Sequence, residues 1–150
     1  MHPGEGIVKA SWLGTAAFGV TSAAGAAVSS LDVLALVVAL ALFVAGTVAF
    51  FAAYAKAVSR SRTDQVGIMS LFFLEGRVAP QPVRRNLRAS FVAQIAVAVA
   101  VAALRPNTSL AFGVLVPVYG LALAGLWGAR HGTFPRREPK QPPRRGAAQG

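Results

Sequence analysis

The stretch VLALVVALALFVAGTVAFFAAYA, Val33 to Ala55, runs for 23 residues without one Asp, Glu, Lys, Arg or His. A bilayer core about 30 Å thick is crossed by about 20 apolar residues of helix. A second run, LAFGVLVPVYGLALAGLWGA from Leu110 to Ala129, adds 20 uncharged residues. Both qualify as membrane spans. In lipid, only helices and closed barrels satisfy their own backbone. The expected class is all-α: a polytopic transmembrane helical protein.

Upstream of Val33, residues 1–9 form a polar leader with Pro3, Gly4 and Gly6, and Ala10–Val28 is uncharged but rich in Ala, Gly, Ser and Thr. Two readings stand. It is a first span packed through its small residues, or it is a signal peptide, because Lys9 precedes it and Ala24-Gly25-Ala26 resembles a cleavage site. The first gives four transmembrane helices, the second three, with residues 1–26 removed. The span is preferred, since the basic region is one Lys diluted by Glu5. Ser29, Ser30 or Asp32 then caps the next helix.

Downstream, span 33–57 ends in Lys56, Arg60 and Arg62, which snorkel to the interface. The loop 58–85 contains Val66–Leu74, nine mostly apolar residues and too short to cross. It reads as a short interfacial helix, with Asp64 near its N-cap and Gly76 as its C-cap. Pro82 suits the first turn of a third span over about 86–105. Its uncharged part, Ala89–Leu104, has 16 residues, so Arg88 and Arg105 must snorkel. The alternation from Ile95 to Val101 mimics a strand, but a lone strand leaves its backbone unsatisfied in lipid. Thr108 or Asn107 caps the last span, 109–129, where Pro117 is expected to introduce a kink. Residues 10–131 thus form one transmembrane domain. The tail 132–150, made largely of Pro, Arg, Gly and Gln, is expected to be disordered.

Fifteen Lys and Arg against five Asp and Glu give a net charge of +10. With the loop and tail in the cytoplasm and four helices, 14 of the 15 basic residues lie inside and only Arg105 lies outside. This fits the positive-inside rule. Basic residues flanking spans point to the bilayer and its anionic lipids rather than to nucleic acid. Arg77, Arg84, Arg85 and Arg88 crowd the entry to the third span and are the candidate anionic-lipid contacts. The chain has no cysteine, which excludes disulfides, thiolate metal sites and cysteine nucleophiles.

Small residues recur every fourth position: Thr15, Gly19, Ala23 and Ala27; Ala41, Ala45, Ala49, Ala53 and Ala57; Gly120, Ala124 and Gly128. Such stripes let helices approach closely, on each other or on a partner. Gln94 is the one strongly polar side chain within a span, and it is read as an interhelical hydrogen bond in preference to a substrate contact. No ionisable residue lies at mid-depth, where proton relays and ion paths keep theirs. That argues against a coupled transporter. His2 and His131 are too far apart in sequence to indicate a metal site, and Asp64 beside Arg60 and Arg62 reads as a local ion pair. No cofactor motif appears.

The segments Ser59–Asp64, Leu71–Gly76, Ala79-Pro80, Val83-Arg84-Arg85, Leu104-Arg105-Pro106, Ala111–Pro117 and, above all, GLWGARHGTFP at Gly125–Pro135 resemble a group of uncharacterised small actinobacterial integral membrane proteins. The resemblance covers roughly residues 11–137. It implies an actinobacterial plasma membrane and transfers no catalytic residue.

The expected role is a non-enzymatic accessory or scaffold of the plasma membrane, as a homo-oligomer or inside a membrane complex. The alternative is a passive transporter or channel built by oligomerising the Gly-rich last helix. A lipid-modifying enzyme ranks below both, for lack of clustered acidic or His residues.

Overall fold

The computed structural model describes residues 3–138. The elements are α1 (Glu5–Ala27), a 3-10 turn (Ser29–Leu31), α2 (Asp32–Arg60), α3 (Ile68–Phe72), α4 (Gln81–Leu104), a 3-10 helix (Ser109–Leu115) and α5 (Pro117–His131). Among the described residues every regular element is helical. Three stretches, Ser29–Arg60, Gln81–Leu104 and Ser109–His131, are long and apolar enough to cross a membrane. α1 is also long enough at 23 residues, but its Ser, Thr and Gly keep it below that standard of apolarity.

The helices run alternately up and down. α5 packs on α1, α2, α3 and α4, while α1 fills the space between α2 and α4. From Gly120 to Ala129 nearly every residue of α5 is buried. The outer face of α2 is the opposite case: Val33, Val37, Val44, Val48 and Phe51 are all more than half exposed. A face that apolar suits lipid and not water.

Several boundaries differ from the sequence reading. α2 continues to Arg60 and α4 begins at Gln81, so the loop is shorter than 58–85. Neither Ser29, Ser30 nor Asp32 caps α2 through its side chain; Asp32 is instead its first residue, where a carboxylate favours the helix dipole. Thr108 Oγ1 donates to Arg105 O and does not cap the following helix. α3 is preceded by Gly67, and Gly76 lies beyond its end, at φ 69° in the following turn.

The expected kink at Pro117 is a change of helix type. Pro117 has no N–H to donate one turn back, so the preceding residues close as a 3-10 helix, with Val116 N–H on Gly113 O at 3.0 Å. An α-helix then starts afresh at Pro117.

The tail also departs from the reading. Residues 132–137 are bound across the basic end: Thr133 N–H donates to Val78 O, Gln65 N–H to Pro135 O and Arg137 N–H to Thr63 O. Polar composition did not leave this segment free, because two loops offered it backbone partners. The remainder of the expected disordered tail, residues 139–150, lies outside the described residues.

The small-residue stripes are used in part. Gly120, Ala124 and Gly128 are all buried inside the chain. A Cβ on Gly120 would stand 2.6 Å from Gln94 Oε1, and one on Gly128 2.7 Å from Leu71 O. On α2, Ala53 and Ala57 are buried and Ala49 is half-buried, but Ala41 and Ala45 face outward. A four-residue step overshoots a 3.6-residue turn by about 40°, so the stripe winds off the contact face. The same drift leaves Ala23 and Ala27 exposed on α1. The close α2–α5 approach is made by Gly46, where a Cβ would stand 2.6 Å from Tyr119 Cα.

Candidate functional site

Two features carry the polar chemistry of the described chain: a buried network among α1, α4 and α5, and the basic end of the bundle.

Ser11 and Thr15 are one turn apart on α1, and Ser90 and Gln94 one turn apart on α4. Each pair therefore shares a helix face. All four are buried. Ser11 Oγ and Thr15 Oγ1 each lie 2.7 Å from Ser90 Oγ. Thr15 Oγ1 donates to Ser11 O at 2.9 Å, and Gln94 Nε2 donates to Thr15 Oγ1 at 2.8 Å. Gln94 Oε1 accepts the Gly120 N–H at 3.1 Å. One consistent proton scheme runs Ser11 to Ser90, Ser90 to Thr15, and Thr15 to the Ser11 carbonyl. The partners are hydroxyls, an amide and carbonyls, none of them a base able to activate an alcohol for attack. Gln94 is thus an interhelical hydrogen-bonding residue. The sequence reading missed the hydroxyls of its network, Ser11, Thr15 and Ser90.

Tyr119 locks the same level. Its hydroxyl donates to Ala10 O at 2.8 Å. Its ring fills the space left by Gly14, where a Cβ would collide with Cε1.

The basic end is organised by Arg60. Its guanidinium donates to Ala129 O at 3.1 Å and to Gly132 O at 2.9 Å, pairs with Asp64 at 3.2 Å and lies over the Phe134 ring. It therefore ends α5 by taking its last carbonyls, as basic groups at helix C-termini do. The Asp64 ion pair agrees with the sequence reading. At the opposite end Arg105 Nη2 donates to Ala26 O at 2.8 Å.

The four candidate lipid-contact arginines do not form one cluster. Arg88 clasps Phe73 O through Nε and Nη2 at 2.9 and 2.6 Å. Arg84 Nη1 donates to Gly76 O at 2.8 Å. Both tie the 73–76 turn to α4. Leu74, fully buried, holds a left-handed backbone at φ 52° inside that turn. Arg84, Arg85 and Arg88 line an open groove of about 440 Å³ with Ala89 and Val92, while Arg77 lies on the other side of Arg84. Arg77 and Arg85 are exposed.

Comparison with protein-family models, with curated proteins and with solved structures finds no match to this chain.

Proposed function

We propose that this chain is a four-helix integral membrane protein of the bacterial plasma membrane that acts as a non-enzymatic accessory or scaffold. In this reading α1 is the fourth span, α3 lies in the interface, and the end carrying Arg60 faces the cytoplasm. The positive-inside rule supports that orientation, because among the described Lys and Arg only Arg105 sits at the other end. The resemblance to small actinobacterial membrane proteins adds an actinobacterial membrane to the reading. Anionic lipids of the inner leaflet are then the natural neighbours of Arg77, Arg84, Arg85 and Arg88.

The observation that carries the accessory role is the closed network of Ser11, Thr15, Ser90 and Gln94. The polar groups at mid-depth are committed to holding three helices together, so they serve structure and not turnover. The outward faces of α2 and α4 remain apolar and available to lipid or to a partner's helices. The channel alternative draws no support from Gly120, Ala124 and Gly128, since these are covered within the chain.

Native mass measurement after extraction in mild detergent tests the role. A foreign membrane subunit in fixed stoichiometry is expected. A closed ring of copies of this chain alone would overturn the accessory reading in favour of a pore.

A further inference from the structure

At the basic end, a groove of about 830 Å³ opens between the start of α1, the 76–82 turn and the last turn of α5. Its walls are apolar, with Val8, Val78, Val83 and Trp127, and Arg77 and Arg84 stand at its rim. Among the described residues neither arginine is paired with a carboxylate. Glu5, the acidic residue on the lining, is bridged to Lys9 at 2.7 Å. Trp127 is 2% exposed, and among the described residues its Nε1–H has no acceptor. Nε1 lies against Gly4, between the groove-lining Pro3 and Glu5, where an added Cβ would collide with it.

We propose that this groove is a binding site for one anionic phospholipid of the surrounding leaflet. The phosphate sits between Arg77 and Arg84, and the start of an acyl chain lies along Val78, Val83 and Trp127. The two chemistries of the groove, a cationic rim and an apolar wall, match the two halves of such a lipid. A zwitterionic lipid matches only the wall. The proposal rests on the membrane reading; its groove shares Arg84 with the open groove of Arg85 and Arg88 but not those two residues.

Trp127 reports on its own site once the second tryptophan, Trp12, is removed. The Trp12→Phe protein is reconstituted into phosphatidylcholine vesicles containing an equal mole fraction of either dibrominated phosphatidylglycerol or dibrominated phosphatidylcholine. Flotation with the vesicles first establishes insertion, and protein that does not float removes the membrane reading itself. In floating protein, stronger quenching of Trp127 by the brominated phosphatidylglycerol is expected. Arg77→Gln should lower that preference about fivefold, the weight of one basic residue at an anionic surface. Arg85→Gln, a change in the outer groove, should leave it intact. Equal quenching by the two lipids, or a preference lost in Arg85→Gln but kept in Arg77→Gln, overturns the proposal. Quenching by neither lipid in floating protein means that a second copy or another protein covers the groove, and also overturns it.

Discussion

The backbone N–H of Gly120 donates to Gln94 Oε1 at 3.1 Å, near the middle of the apolar stretch Ser109–His131. The bond has a definite origin. Pro117 restarts the helix, and the first turn of a helix has amides without carbonyls to meet them. Val116 O already accepts Tyr119 N–H at 2.8 Å. Gly120 is buried, so its amide is out of reach of water and a side chain must serve. Gln94 on α4 does so, and its own amide group is anchored by Thr15 on α1.

Gln94→Leu should therefore destabilise the bundle by about 1–3 kcal/mol, the cost of leaving a buried backbone amide unpaired. Ser90→Ala, which removes the hydroxyl contacts to Ser11 and Thr15 but leaves the Gly120 amide paired, should cost about 0.6 kcal/mol for each interhelical bond lost. Reversible unfolding in mixed micelles measures both. A Gln94→Leu variant as stable as the parent would mean that the Gly120 amide is satisfied elsewhere.

Gly46 and Gly128 face groups that cannot step aside, the Tyr119 backbone and the Leu71 carbonyl. Gly46→Leu and Gly128→Leu should each lower stability by about 1–3 kcal/mol or more through overpacking. Ala41→Leu and Ala45→Leu, on the outward face, should stay within about 0.5 kcal/mol of the parent. Thermal unfolding of the four purified variants separates the two classes. Equal losses at Ala41 and Gly46 would count against the packing described.

Arg60 holds Gly132–Arg137 across the basic end. Arg60→Gln should release that segment and speed tryptic cleavage after Arg136 or Arg137, at a stability cost of about 1.5–3 kcal/mol for lost charge-assisted hydrogen bonds. Asp64→Asn, which leaves the bonds to Ala129 O and Gly132 O in place, should have a smaller effect. Unchanged cleavage in Arg60→Gln would show that the strand-like contacts at Gln65 and Thr133 suffice.

The parts of this molecule that were legible in the sequence are those governed by composition over many residues. Val33–Ala55 announced α2 through its missing charges, and Pro82 marked the start of α4. The contacts were less legible. Ser11–Thr15 and Ser90–Gln94 each show the one-turn spacing of a shared face, but nothing in one chain says that the two faces meet. A stripe at a fixed spacing of four drifts around a real helix, and on α2 it passes over Gly46. The binding of Gly132–Arg137 depends on carbonyls and amides at Thr63, Gln65, Arg77 and Val78, and backbone groups carry no sequence signature. Arg84 and Arg88 looked like free charges because their partners, Gly76 O and Phe73 O, are backbone too.

Single introduced cysteines test the membrane arrangement most directly, since the chain has none of its own. Ser29→Cys and Pro106→Cys mark the Arg105 end, Gly6→Cys and Gln65→Cys the Arg60 end, and all four positions are exposed. Spheroplasts are treated with a membrane-impermeant maleimide, before and after lysis. Four spans with the basic end inside predict labelling of Ser29→Cys and Pro106→Cys in intact spheroplasts, and of Gly6→Cys and Gln65→Cys only after lysis. Labelling of Gly6→Cys together with Ser29→Cys in intact spheroplasts, or its absence from the mature chain, would contradict α1 as a retained span, and the reversed pattern would contradict the orientation.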